Sequence, residues 1–193
     1  MRLNPIQKGR SSEPIALWLT VGAISMVAPF ARIQGLAAGS VFSAQPLKPA
    51  SCVAPEFRQF DFWVGDWDGF EVDKTTIVAH AQVDRVLDGC VLLEQYEGTD
   101  GLKGQSFSLY DTSRRIWHQT WVTNRGQLLV VEGKIQAGEM VLSGVDHAAG
   151  RRILVRGTWK PVKGGVRETA VTSTDGGKTW QAWFDLLFRP HKM

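Results

Sequence analysis

The residues of this sequence best suited to chemistry are carboxylates and aromatic side chains that stand within otherwise apolar runs. Glu94 lies in VLLEQYEG and Asp185 lies in WFDLLF. Carboxylates in an apolar setting can act as general acid and base, provided that a cation or a ligand offsets the cost of burying them. Arg167 is a basic residue that could do so. The candidate cavity residues are Glu94, Tyr96, Gln119, Trp121, Arg167, Trp183 and Asp185.

The alternation of side chains along a strand decides which of these residues share a face. Gln119 and Trp121 are two positions apart, and Trp183 and Asp185 share a face with Arg189. If Arg189 points into the molecule, Trp183 and Asp185 point inward with it. The alternative is an internal salt-bridge network that fills a small barrel and binds no ligand.

The elements that must position these residues are short strands. From residue 60 onward, runs rich in Val, Ile, Leu, Thr and Trp alternate with turn pairs such as Asp88-Gly89 and Asp100-Gly101. This rhythm indicates successive hairpins. It predicts strands near 66–73, 75–86, 90–98, 103–110, 114–123, 127–136, 139–146, 151–160, 165–174 and 178–189. We expect an all-β fold, an antiparallel up-and-down β-barrel of about 8–10 strands, with a two-sheet sandwich as the alternative.

The stretch FDFWVGDWDGF, residues 60–70, predicts how one end of the barrel closes. Gly65-Asp66-Trp67 fits the G-x-W signature that opens the first strand of lipocalin-like barrels. In such barrels a late basic residue lies against the tryptophan, and Arg189 stands where that partner is expected. Gly65, Trp67 and Arg189 are therefore the predicted closure residues. A catalytic carboxylate cluster is the alternative, which alternation along a strand disfavours, and it would consist of Asp61, Asp66 and Asp68.

Further motifs resemble those of a family of exported bacterial proteins of unknown function. The resemblance covers residues 55–189 and rests on Gln59–Trp67 (QFDFWVGDW), Gly89-Cys90 followed by Glu94, Trp117–Val122 (WHQTWV) and Asp175–Trp180 (DGGKTW). It implies a lipocalin-like (calycin-like) barrel and export. It implies no activity and no catalytic residues.

The N-terminal 44 residues predict an export signal. Three basic residues precede an uncharged apolar run over 15–30, and small residues follow it. This order is typical of a secretory signal peptide, with an uncleaved anchor as the alternative. We expect a signal peptide over 1–44, a linker over 45–59 and the barrel domain over 60–190. The expected location is periplasmic or extracellular, with no stable membrane span after signal removal.

The charge balance argues against nucleic acid as a partner. The whole chain has 22 Lys+Arg and 19 Asp+Glu, but residues 1–44 hold four basic residues and one acid. The remainder carries equal numbers of both signs, so it lacks the basic excess that binds phosphate backbones.

The two cysteines, Cys52 and Cys90, predict a disulfide in an oxidising compartment, with two free thiols as the alternative. The bridge would close a loop of about forty residues. Neither cysteine has a nearby metal-binding partner in the sequence, so no metal site is predicted. Some barrels of this kind hold haem through a late histidine, but neither His147 nor His191 has a second ligand or a CxxCH motif nearby, so no cofactor is predicted.

Three functions remain open. The first is an exported module that binds a small apolar or amphipathic ligand in the barrel, in accord with the abundance of tryptophan and the polar residues within apolar strands. The second is an enzyme that uses Glu94 or Asp185 as acid or base near Arg167. The third is a structural or partner-binding envelope protein.

Overall fold

The fold is a closed barrel of ten antiparallel strands. The computed structural model describes residues 52–148 and 150–192. Each strand pairs with its neighbours in sequence, and the first strand pairs with the last, so the sheet has no free edge. The strands are β1 Gly65–Glu71, β2 Ile77–Val86, β3 Val91–Gly98, β4 Lys103–Asp111, β5 Ile116–Thr123, β6 Leu128–Gln136, β7 Glu139–Ala148, β8 Arg151–Val162, β9 Gly165–Ser173 and β10 Gln181–Pro190.

The up-and-down barrel predicted from the turn rhythm is confirmed. Turn residues stand where the chain reverses, as at Ala137-Gly138, where both residues have positive φ, 49° and 83°. Such a pair forms the two-residue hairpin turn that suits strand twist. The largest disagreement in strand bounds is at β10, which was predicted to begin at 178 and begins at Gln181.

One end of the barrel is plugged by aromatic side chains. Two 3-10 helices, Pro55–Arg58 and Asp61–Trp63, precede β1 and bring Phe60 and Trp63 into the core, where they are 0% and 1% exposed. Trp63 stacks on Trp67 and packs edge-on against the ring of Phe188 at 4.9 Å. We call this the closed end. A Cβ on Gly65 would lie 2.8 Å from the Trp67 indole, so glycine is needed there for the tryptophan to fold across the strand.

The basic partner predicted for Trp67 lies elsewhere. Arg189 is the cross-strand neighbour of Asp68 on the outer face, and its guanidinium lies 5.3 Å from the centre of the Phe70 ring. Trp67 instead donates its indole N–H to the Trp63 carbonyl at 2.9 Å. The prediction that Arg189 covers Trp67 is wrong, because adjacent residues on β1 point to opposite faces of the sheet.

A disulfide attaches the segment before the first 3-10 helix to the β2–β3 turn. Cys52 and Cys90 are bonded, which confirms the predicted bridge and is consistent with an oxidising location. Arg58 donates from the same nitrogen to the Cys52 carbonyl at 2.7 Å and to the Gly89 carbonyl, and so reinforces the attachment.

The predicted signal over 1–44 lies outside the described residues, as does the first half of the predicted linker. The later part of that linker contains the 3-10 helix Pro55–Arg58. Within 52–148 and 150–192, no helix has the length and hydropathy needed to cross a bilayer.

Candidate functional site

A hydrogen-bonded polar cluster lies inside the barrel on β3, β4 and β5. Ser106 donates to a Glu94 carboxylate oxygen at 2.8 Å. The Gln119 amide donates to the hydroxyls of Ser106 and Ser108, at 3.3 and 3.1 Å. All four side chains belong to buried residues, and Ser106 is 0% exposed. Because buried polar groups are costly without partners, the serines are placed to satisfy the carboxyl and the amide.

The strand that supplies the serines has its hydrophobic pattern reversed. On β4 the inward positions hold Gly104, Ser106 and Ser108, whereas Phe107 points outward and is 44% exposed. A strand whose only task is to fill a core places its apolar residues inward. The reversal gives this part of the barrel wall a polar inner face.

A second carboxyl, Glu168 on β9, interacts electrostatically with Glu94 from across the barrel. It alternates with the buried Val166 and Ala170, which places it on the inner face. The residue as a whole is half-buried, but its carboxyl is strongly desolvated. Among the described residues, neither carboxyl forms a salt bridge with an arginine or lysine.

Burial sets the protonation of the pair. Desolvation raises the pKa of Glu94 from 4.5 to about 7, against the lowering influence of the Ser106 hydrogen bond. Desolvation also raises the pKa of Glu168 well above its usual range, and the charge of Glu94 adds to the effect. The indole of Trp159 opposes that rise, although its nitrogen closes no hydrogen bond of normal geometry. Near neutral pH the two groups therefore resist carrying two charges together.

The opposite end of the barrel is the mouth. Tyr96 and Trp121 point inward there, pack edge-on at 5.8 Å, and are both half-buried. Burial, followed by nearby carboxylates, raises the pKa of Tyr96 to about 12, so its hydroxyl stays a hydrogen-bond donor. A Cβ on Gly104 would lie 2.3 Å from the Trp121 ring, so the glycine makes room for the indole. A groove of about 320 Å³ lies at the rim beside Tyr96 and Glu97, and neither Glu94 nor Glu168 lines it.

Three predicted cavity residues lie outside the barrel. Arg167 forms a bidentate ion pair with Asp185, through Nε to Oδ1 at 2.8 Å and through Nη2 to Oδ2, and both side chains are exposed. Trp183 is 46% exposed. Their assignment to the cavity is wrong because it depended on an inward Arg189, and Arg189 points outward. Glu94, Tyr96, Gln119 and Trp121 lie on the inner face as expected.

Glu168 is not among the cavity residues predicted from the sequence, because its neighbour Arg167 was predicted to point inward instead. The alternation in GVRETAVTS divides the strand into two faces, one with Val166, Glu168 and Ala170 and the other with Arg167 and Thr169. The alternation alone does not say which face points into the barrel. The exposed Arg167–Asp185 pair holds the pKa of Asp185 below its usual range, chiefly through the hydrogen bond from Arg167.

A second polar group, the outer cluster, lies on the outside of β1 near the closed end. It consists of Asp66, Asp68, His80 and His191. Asp68 Oδ1 lies 2.9 Å from His191 Nδ1 and 3.5 Å from His80 Nδ1, while His80 Nε2 lies 3.2 Å from Asp66 Oδ1. The two imidazole rings are 5.0 Å apart. No sequence motif marks this cluster, because its members come from β1, β2 and the residue after β10.

No protein-family model and no curated protein matches this chain. The resemblance to an exported bacterial family therefore stays a prediction that rests on the quoted motifs.

Proposed function

We propose that this protein is an exported binding protein that takes a small amphipathic molecule through the mouth of its barrel. The observation that carries the proposal is the pair of inward carboxyls, Glu94 and Glu168, without a counter-ion among the described residues. Such groups are unfavourable in a filled core and favourable where a ligand completes their interactions. The disulfide and the predicted signal support export.

The chemistry of the lining suggests the two parts of the ligand. Tyr96, Trp121 and Leu186 offer apolar surface to a hydrocarbon or ring portion. The glutamates, with Gln119 beside them, offer acceptors to a head group that donates hydrogen bonds. A cationic amine fits best, because it would allow one or both carboxyls to ionise inside the barrel.

A titration with alkylamines tests the proposal. The exported chain, with its disulfide intact, would be titrated with a medium-chain alkylamine and, separately, with the alkyl carboxylate of equal length, and tryptophan fluorescence and calorimetry would be recorded. We expect saturable binding of the amine and little binding of the carboxylate. Glu94→Gln and Glu168→Gln should each weaken amine binding tenfold or more, since a neutral amide cannot pair with the ammonium group.

Glu132→Gln is the matched control, because Glu132 is a glutamate on the outer face of β6 that pairs with Arg114. It should leave amine binding unchanged. Absence of saturable binding, or equal affinities for wild type and both interior variants, would contradict the proposal.

The alternative is an acid/base enzyme that uses the same two carboxyls. The elevated pKa of Glu94, about 7, favours this alternative, because a general acid or base works best when its pKa is near the ambient pH. A metabolite screen would distinguish the two functions: turnover that Glu94→Gln abolishes supports the enzyme, and stoichiometric binding without product supports the binding protein.

A further inference from the structure

The outer cluster brings two imidazoles and a carboxylate to one point. One ligand atom from each of Asp66, His80 and His191 lies within 4.8 Å of the others. These residues come from β1, β2 and the end of β10, and backbone pairing fixes their relative positions. His80 is the cross-strand neighbour of Asp68, and the backbone N–H of His191 donates to the backbone carbonyl of Asp66 at 2.8 Å.

Asp68 occupies the position that a supporting carboxylate takes behind metal-binding histidines. It is only 9% exposed, and one of its oxygens faces the Nδ1 atoms of both imidazoles. A carboxylate that holds one ring nitrogen fixes the orientation of the ring and leaves the other nitrogen available as a ligand. The two Nε2 atoms are thereby left for an ion, alongside the exposed carboxylate of Asp66.

We propose that Asp66, His80 and His191 bind a divalent transition-metal ion of the zinc type, with Asp68 as the supporting carboxylate. Two ligands of a tetrahedral zinc ion lie about 3.4 Å apart, given bonds of about 2.0–2.1 Å. The 3.2 Å between His80 Nε2 and Asp66 Oδ1 is close to that separation. The side chains of Asp66, His80 and His191 are 54%, 42% and 36% exposed, so we expect them to adjust around an ion.

The choice of metal follows from the ligands. Two imidazoles and one carboxylate suit zinc, copper or nickel, whereas calcium and magnesium prefer oxygen ligands alone. Glu97 is the cross-strand neighbour of His80, but its charge is paired with Lys103 at 2.8 Å. Arg189 is the neighbour of Asp68 on the other side, but its guanidinium lies over Phe70. Three protein ligands leave a position for water.

A zinc titration tests the site. The exported chain, without a histidine tag, would be treated with a chelator and titrated with zinc sulfate alone at neutral pH by calorimetry. We expect one ion per chain with micromolar or tighter affinity. His80→Ala and His191→Ala should each weaken binding at least tenfold, and Asp68→Asn should weaken it about 10- to 100-fold. Zinc should raise the melting temperature of wild type and not of the histidine variants.

His147→Ala is the matched control, because His147 is an exposed strand histidine outside the cluster. It should bind zinc as wild type does. Binding that is absent in wild type, or unchanged in His80→Ala and His191→Ala, would overturn the proposal. This outcome is independent of the alkylamine titration, because the outer cluster and the barrel interior lie on opposite faces of the sheet.

Discussion

At the scale of single residues, the most informative feature is a carboxyl inside the barrel that has no cationic partner within residues 52–148 and 150–192. Glu94 has one hydrogen-bond donor, Ser106, and this bond does not offset the loss of water around the carboxyl. An ordinary core would place an apolar residue at such a position. The retention of the charge-bearing group suggests that the interior serves a purpose beyond stability.

The elevated pKa of Glu94 predicts an unusual pH dependence of stability. A carboxyl with a pKa near 4.5 in the unfolded chain and about 7 in the folded chain stays protonated to a higher pH when the chain is folded. Between pH 4.5 and 7 the folded state therefore binds a proton that the unfolded state has lost. The contribution of Glu94 to the free energy of unfolding is greatest below pH 4.5 and falls as the pH rises towards 7. The loss attributable to Glu94 is up to about 3 kcal/mol. Glu168 acts with the same sign.

Urea unfolding of wild type and of the Glu94→Gln/Glu168→Gln double variant across this pH range measures the effect. The free energy of unfolding of wild type should fall relative to that of the double variant as the pH rises above 4.5, and it should level off only above the raised pKa values of both carboxyls. Exposed carboxylates contribute equally to both proteins and cancel in the comparison. Parallel pH profiles would show that neither glutamate titrates abnormally.

At the scale of elements, the disulfide joins two parts of the closed end that Arg58 also connects through its hydrogen bonds to the Cys52 and Gly89 carbonyls. The bridge spans 38 positions of sequence and attaches the segment before the 3-10 helices to the β2–β3 turn. We expect the Cys52→Ser/Cys90→Ser variant to lose about 3–4 kcal/mol of stability, since the unfolded chain gains the entropy of an open loop.

Denaturant unfolding with and without dithiothreitol measures this loss. Reductant should destabilise wild type and have no effect on the double variant, which serves as the control. A wild type that is equally stable with and without reductant would contradict the expectation. The single variant Cys90→Ser separates the loss of the bridge from the loss of the buried Cys52 side chain.

The sequence predicted elements far better than it predicted faces. Turn pairs such as Ala137-Gly138 require backbone angles that few residues tolerate, so they mark strand ends without any knowledge of the fold. The face of a strand depends on register across the sheet, and one error of parity moved Arg167, Trp183 and Asp185 to the wrong side. The irregular register of β10 between Ala182 and Phe184 added to the difficulty. The outer cluster was unpredictable because only the closure of β10 on β1 brings His191 near His80.

At the scale of the whole molecule, the barrel has two unlike ends. Phe60, Trp63 and Phe188 are almost completely buried at the closed end, whereas Tyr96 and Trp121 are only half-buried at the mouth. Dense aromatic packing at one end is a source of stability, and accessible aromatic surface at the other is suited to binding. Stability and ligand affinity should therefore respond to different tryptophans.

Three single substitutions of tryptophan by alanine test this division. Trp63→Ala removes a side chain that is 1% exposed and should cost about 3–5 kcal/mol of stability, because the plug cannot collapse around the cavity. Trp183→Ala, at a site 46% exposed, should change stability by less than about 1 kcal/mol.

Trp121→Ala should weaken alkylamine binding more than it lowers stability, and Trp63→Ala should do the reverse where the variant is still folded. Chemical denaturation and calorimetric titration of the same preparations measure both quantities. Equal losses of stability in Trp63→Ala and Trp183→Ala would mean that the closed end is not the stabilising part of the barrel. Unchanged alkylamine affinity in Trp121→Ala would contradict the proposal that the ligand binds at the mouth.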